Sequence, residues 1–141
     1  MNWNEFIEFS EDLASNSYAT RVSKECVYRV IISRSYYGIF KQIEDYLNMK
    51  NITLPEKYHD GNLIKGNHER VIEFLKTHSD KNIQTIGNQL KFLRNNRIAA
   101  DYYLSQSSYR NIDINAKLAN NVILNAKRYT NFWNKEKTKV I

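Results

Sequence analysis

The sequence predicts an all-α fold, an up-and-down bundle of four to five helices, and three observations predict it. Apolar residues recur at three- and four-residue steps over long stretches. One proline and four glycines supply little turn chemistry, and Pro55, Gly61 and Gly66 fall in one region. The 141 residues are 42% hydrophobic and 26% charged, which suits one globular domain over 1–141 and not a disordered chain.

The first helix, about Asn4 to Ser15, carries Trp3, Phe6, Ile7 and Leu13 on one side and Glu5, Glu8 and Asp12 on the other. A longer second helix runs from about Thr20 to Asn48, because Val22, Cys26, Tyr36, Phe40, Ile43 and Leu47 repeat without a breaker. At about 100° per residue, Val27, Ile31 and Gly38 project opposite that stripe, with Val30 and Tyr37 between, so this helix is expected to be buried on two sides. One side meets the chain's own core. The other is expected to meet a second subunit, with Gly38 letting two backbones approach, so the expected state is a homodimer. Cys26 is the lone cysteine and reads as a small buried residue; it offers neither a disulfide nor a cysteine-based zinc site.

Met49 to Gly66 shows no periodicity and reads as a long, mobile connection. Asn67 is expected to cap a short third helix, His68 to His78, that turns Val71, Ile72 and Leu75 inward and packs across the bundle. The fourth helix, about Lys81 to Ser105, has Ile83, Ile86, Leu90, Leu93 and Leu104 in register. The fifth, about Asp113 to Lys135, has Ala119, Val122, Ala126, Tyr129 and Trp133.

The first residues combine acidic side chains with no continuous apolar run, unlike a secretory signal, and no stretch approaches a membrane span, so a cytoplasmic protein without a membrane partner is expected. The net charge of +6 favours polyanions such as RNA, or an acidic protein. Much of the excess sits at Arg21, Lys24, Arg29 and Arg34 and again at Lys127, Arg128, Lys135, Lys137 and Lys139, runs that ordinarily form solvated faces. No motif calls for a metal or an organic cofactor.

The fourth helix breaks the pattern. Arg94, Arg97 and Asp101 fall within about 40° of Leu90, inside the apolar stripe. Burying an unpaired charge costs several kcal/mol, so these groups must pair, reach water or contact an anion. Arg97 and Asp101, four apart, can pair directly, which leaves Arg94 without a local acid. Arg34, beside Ser33, Ser35, Tyr36 and Tyr37, is a second charge among apolar neighbours, and the second and fourth helices are expected to face each other there. Two explanations stay open: an arginine–aspartate network that fixes helix or subunit register, and an anion site. Guanidinium groups grip phosphate in two-pronged fashion and tyrosine faces stack on bases, so the second would suit RNA or a nucleotide.

These residues resemble the HEPN superfamily of small helical proteins. SRSYYGIF, Ser33 to Phe40, is similar to an Arg-Ser-x-Tyr-Tyr-x-x-Phe signature of a bacterial subgroup. LRNNRIAADY, Leu93 to Tyr102, is similar to its Leu-Arg-x-x-Arg-x-x-Ala-Asp-Tyr signature, and NHERVIEFL, Asn67 to Leu75, is a weaker match to its His-x-x-Val-Ile stretch. The resemblance implies a helical bundle, commonly a homodimer, found in toxin–antitoxin pairs, phage defence and RNA processing, and in many members a metal-independent endoribonuclease with an Arg-x4-6-His motif. Six residues separate Arg94 from Asp101, so an aspartate stands where such nucleases have histidine. A carboxylate is a feeble base at neutral pH. His68, the one histidine with a counterpart in the family, would supply the missing acid or base if it folds toward the fourth helix.

The catalytic candidates are therefore Arg94, Asp101 and His68, and the RNA- or nucleotide-binding candidates Arg34, Arg94, Arg97, Tyr37 and Tyr102. By the family's spacing Tyr103 corresponds to a tyrosine that receives nucleotides from a nucleotidyltransferase antitoxin. The expected function is RNA or nucleotide binding in a polar cleft between the second and fourth helices, in a toxin or defence component with weakened or absent cleavage. The alternatives are an active endoribonuclease toxin and a non-catalytic dimeric interaction module that docks another protein.

Overall fold

The computed structural model describes residues 1–15, 23–103 and 109–141. The helices are α1 (Asn4–Ser15), α2 (Lys24–Met49), α3 (Asn67–Lys76), α4 (Lys81–Tyr102) and α5 (Ala116–Glu136), followed by a 3-10 turn, Lys137–Val140. The described residues contain no strand, only an isolated bridge between Lys57 and Leu63.

Pairwise contacts fix the direction of each helix. α1 is antiparallel to α2, with Trp3 donating to Asp45, Ile7 over Gly38 and the Ser10 hydroxyl on the Ile31 carbonyl. α2 is antiparallel to α4, since Arg29 meets Ala99, Ser33 meets Asp101 and Tyr37 meets Arg97. α5 returns along α4, with Asn82 bonded to Glu136. α1, α2, α4 and α5 thus alternate in direction. α3 is a short addition laid antiparallel on α4, Glu69 meeting Arg94 at one end and Leu75 meeting Gly87 at the other.

α2 lies at the centre, touching α1, α4 and α5. Tyr36, Phe40, Ile43, Leu90, Leu93, Val122 and Trp133 fill the space between these helices. Each such side chain contributes about 1.5–3 kcal/mol by leaving water, which is why the long periodic runs are the most secure part of the fold.

Helix ends depart from expectation for local reasons. α2 starts at Lys24 because the Ser23 hydroxyl accepts the Cys26 amide at 3.2 Å; Thr20 to Val22 lie outside the described residues. Asn67 does not cap α3. That place belongs to Gly66 at φ 83°, and the Asn67 amide donates instead to Glu44 on α2. α3 stops at Lys76, short of His78. α4 stops at Tyr102, because Tyr103 is extended; Leu104 and Ser105 lie outside the described residues. α5 begins at Ala116 rather than Asp113, where Asn115 accepts the Leu118 amide at 2.8 Å.

Two further expectations are corrected, and the 49–66 connection gains local detail. The α2 face assigned to a second subunit is covered by α1 of the same chain: a Cβ on Gly38 would sit 2.6 Å from Ile7 Cγ1. Cys26 is exposed, because it lies in the first turn of α2. The 49–66 connection is folded on itself, with Tyr58 N bonded to Asn62 O at 2.8 Å, Ile64 N bonded to Glu56 O at 2.9 Å, and Ile64 buried.

Candidate functional site

Where α2 faces α3 and α4, the charged residues fall into two sets separated by Tyr36 and Tyr37. The first is centred on Glu69 of α3. Its carboxylate takes Lys91 at 2.7 Å, Arg94 in a short contact and the Tyr58 hydroxyl at 3.2 Å. Burial acts to raise the Glu69 carboxyl, but Lys91, Arg94 and Tyr58 outweigh it and hold it below the usual carboxylate range. Glu69 is the acid that Arg94 lacks within its own helix.

His68 stands beside this set. Its ring lies flat on Phe40, with centroids 4.0 Å apart and planes 9° apart, and Nδ1 is 2.7 Å from the Tyr36 hydroxyl. Burial, followed by the Arg94 and Arg97 guanidinium groups, lowers its pKa to about 4, so the imidazole is neutral at pH 7. Burial likewise holds the Tyr36 phenol well above its ordinary value. The pair is a neutral hydrogen bond inside an aromatic stack.

The second set is a ladder of alternating rings and guanidinium groups. Arg34 Cζ lies 5.5 Å from the Phe6 ring centre and 5.1 Å from that of Tyr37, while Arg97 Cζ lies 4.8 Å from Tyr37 and 5.2 Å from Tyr102. These distances are within cation–π range, which favours each arginine over its ring by about 0.5–2 kcal/mol. Arg97 Nε is 2.8 Å from Asp101 Oδ2, an ion pair without the alignment of a hydrogen bond, and its Nη2 donates to the Tyr37 hydroxyl. The Ser33 hydroxyl joins the two arginines, donating to Asp101 at 3.1 Å and accepting from Arg34 at 3.2 Å.

Arg34 differs from the other cations of the region. Arg94 and Lys91 share Glu69, Arg97 has Asp101, and Arg29 has Glu25. Among the described residues no carboxylate lies within ion-pair distance of Arg34. Among the described residues it lies over two ring faces and donates to the Ser33 hydroxyl, which in turn donates to Asp101.

Of the expected binding residues, Arg34, Tyr37, Arg97 and Tyr102 therefore come together, whereas Arg94 belongs to the Glu69 set. The three expected catalytic residues have separate polar partners, although His68 lies close enough to Arg94 to feel its charge. Arg94 is on Glu69, Asp101 on Arg97 and Ser33, and His68 on Tyr36, with no hydrogen bond or ion pair among the three. Tyr103 leaves the ladder, stacking on Tyr109 at 4.9 Å between centroids. Arg29, placed by sequence in a solvated basic run, instead donates to the carbonyls of Ala99, Ala100 and Tyr103 at 2.7–3.0 Å, so it closes the last turn of α4. Phe6, Ser33, Glu69 and Lys91 also escaped prediction. Phe6 was visible only as a member of the α1 stripe, and Glu69 only as the neighbour of His68.

Among the described residues no group of three His, Cys, Asp or Glu side chains is placed to hold a metal ion, and no helix is long and apolar enough to cross a membrane. No family model, curated protein or solved structure matches the chain. The region holds one acid-bound cationic set, and one ladder whose Arg34, among the described residues, has no carboxylate at ion-pair distance and which ends in an exposed tyrosine, Tyr102.

Proposed function

We propose that this chain is a HEPN-like protein that binds RNA or a nucleotide in the cleft between α2 and α4 and does not cut it. The observation that carries the reading is Arg34, a guanidinium flanked by Phe6 and Tyr37 with, among the described residues, no carboxylate at ion-pair distance. A phosphate would supply the missing counter-charge through two-pronged hydrogen bonds.

The absence of cutting follows from the acid–base groups. Attack by a ribose 2′-hydroxyl needs a base to take its proton. Asp101 already accepts from Ser33 and is paired with Arg97. His68, with a pKa of about 4, has little affinity for a proton, and its Nδ1 is engaged by Tyr36. A toxin or phage-defence role in the cytoplasm, a homodimer, and a nucleotidyltransferase antitoxin or other defence protein as partner accompany this reading on the strength of the motif resemblance. The Glu69 set favours a structural role for Arg94, as in the interaction-module alternative, but only for that half of the cluster.

The test is incubation with total RNA, with and without a chelator, for wild type, Arg34→Ala and Asp101→Ala. Wild type should retard RNA and leave no 2′,3′-cyclic phosphate ends, and Arg34→Ala should release it. Chelator-resistant cleavage that disappears in Asp101→Ala would replace binding with catalysis. If no RNA or nucleotide binds while the substitutions dissociate a dimer, the interaction module stands instead.

A further inference from the structure

We infer that the groove between the C-terminal ends of α2 and α5 docks an acidic protein segment, one in which carboxylate side chains alternate with large apolar ones. The groove is separate from the α2–α4 cleft, and the inference does not rest on what that cleft binds. It measures about 260 Å³ and centres on Tyr46, nine residues along α2 from Tyr37, about 14 Å. Its wall is aromatic. Tyr46 stands edge-on to Trp133, with centroids 5.6 Å apart and planes at 90°, and Trp133 is buried, so the Tyr46 ring is held from behind. Met49 beside it is 65% exposed, a flexible, polarizable side chain of the kind that packs against varied partners.

Two lysines carry the charge argument. Lys137 Nζ lies 5.0 Å and Lys50 Nζ 5.7 Å from the centre of the Tyr46 ring. Lys41, Lys91, Lys127 and Lys139 each have a carboxylate within ion-pair distance. Among the described residues Lys50 and Lys137 have none, and Lys137 reaches only the Asn134 amide oxygen, at 3.5 Å. Lysines at helix C-termini commonly serve the last carbonyls, but among the described residues neither Nζ donates to one. Two like charges gathered on one ring without an acid repel each other, and a carboxylate seated between them reverses that repulsion.

The same lining selects a peptide over a polyphosphate. Asp45 stands in the groove, where one of its oxygens takes the Trp3 indole N–H. A carboxylate there repels a phosphate chain, whereas its second oxygen can accept a peptide N–H. At about 260 Å³ and open to solvent, the groove is smaller and less enclosed than sites for free small molecules. It suits one or two side chains of a backbone that passes across it, the apolar one on Tyr46 and Met49 and the acidic one at Lys50 and Lys137.

Fluorescence anisotropy on the full chain tests this with a labelled, C-terminally amidated peptide of about ten residues that alternates glutamate with leucine and phenylalanine. One control copy has glutamine for glutamate, and a second has serine for leucine and phenylalanine. The parent peptide should bind, and both copies should bind at least about 3-fold more weakly. The Lys50→Gln, Lys137→Gln double variant should weaken the parent about 3- to 30-fold, the range of two exposed ion pairs, and reduce its salt dependence. Arg34→Ala should leave peptide binding unchanged. Melting temperatures identify losses that come from the surface and not from unfolding.

A double variant that melts lower yet keeps its affinity within about 3-fold of wild type would assign the lysines to the helix ends and overturn the docking site. So would binding of either control copy within about 3-fold of the parent, or no binding of the parent up to about 1 mM. Displacement of the peptide by an equal concentration of an RNA strand would also overturn it, making these lysines part of a general polyanion surface. Failure of RNA to bind while the peptide binds would sink the cleft reading alone, so the two readings fail separately.

Discussion

The Glu69 set and the Arg34 ladder share helix α4 and both combine arginine with tyrosine, yet one is closed and the other open. Around Glu69 an acid from α3 gathers Lys91, Arg94 and Tyr58, and all its charges are answered within the chain. Along the ladder Arg97 has Asp101, Arg34 has ring faces and, among the described residues, no carboxylate at ion-pair distance, and Tyr102 faces solvent. Charge in a core stripe therefore does not by itself mark a site. What marks one is charge whose partner is weaker than a carboxylate and whose neighbours reach the surface.

The sharpest way to break this contrast is to remove the acid. Glu69→Ala leaves Lys91 and Arg94 without a counter-charge and the Tyr58 hydroxyl without an acceptor. Because the three side chains are only partly exposed, the expected loss is about 2–4 kcal/mol, read from urea unfolding. Glu69→Gln, which keeps the shape and some hydrogen bonding, should lose less. A loss below about 0.5 kcal/mol would make the Glu69 set a surface ornament in energetic terms and erase the distinction.

The packing beneath the closed set can be tested the same way. A Cβ on Gly87 would meet Lys76 N at 2.7 Å and the Leu75 carbonyl carbon at 2.9 Å, so Gly87→Ala must push α3 away from α4, at about 1–3 kcal/mol. On the open side, a Cβ on Gly38 would meet a side-chain atom of Ile7 at 2.6 Å, with the backbone Trp3 O farther away at 3.1 Å. A side chain can shift more readily than backbone, so Gly38→Ala should cost less.

How far the sequence could be read follows the same physics. Helix identity was legible because each long helix repeats its apolar residues many times; Leu90, Leu93, Val122 and Trp133 are buried as their spacing predicts. Helix ends rest on single side chains, and Asn67 had a stronger partner in Glu44 than the cap it was assigned. The facing of α2 and α4, and with it Arg34, Tyr37, Arg97 and Tyr102, was legible from anomalous residues within stripes. Glu69, Phe6 and Arg29 were not, because their partners are distant in sequence and each looks ordinary in its own helix. Gly38 was misassigned to a second subunit because a wheel shows that a face is covered but not by which chain.

His68 gives the closed set a signature in pH. Its folded pKa of about 4 lies below the ordinary imidazole value of about 6.5, so between those values the unfolded chain takes up a proton that the folded chain refuses. Stability should therefore fall as pH drops from about 6.5 toward 4, by about 1–2 kcal/mol after allowance for partial exposure. Glu69, held below the ordinary carboxylate range, adds a further loss only at lower pH, as its carboxylate is protonated. Urea unfolding of His68→Gln across this range should remove the upper part of the slope and leave the lower part. A slope that survives the substitution would assign the upper window to another group.

The smallest effect is the one that most sharpens the comparison. Arg34→Ala removes two cation–π contacts and one hydrogen bond to Ser33, but strands no carboxylate, so its cost to folding should be about 1.5 kcal/mol, the low end of the sum of those contacts. A double-mutant cycle with Tyr37→Leu should return a coupling of about 0.5–1 kcal/mol, the share of one ring contact, while Arg34→Ala and Glu69→Ala, which share no partner, should add. A guanidinium that folding needs less than it needs Glu69, kept in a half-buried place between two rings, is not explained by stability alone. A large folding loss in Arg34→Ala would make the ladder another structural device, and the cleft would then differ from the Glu69 set only in how its charge is balanced.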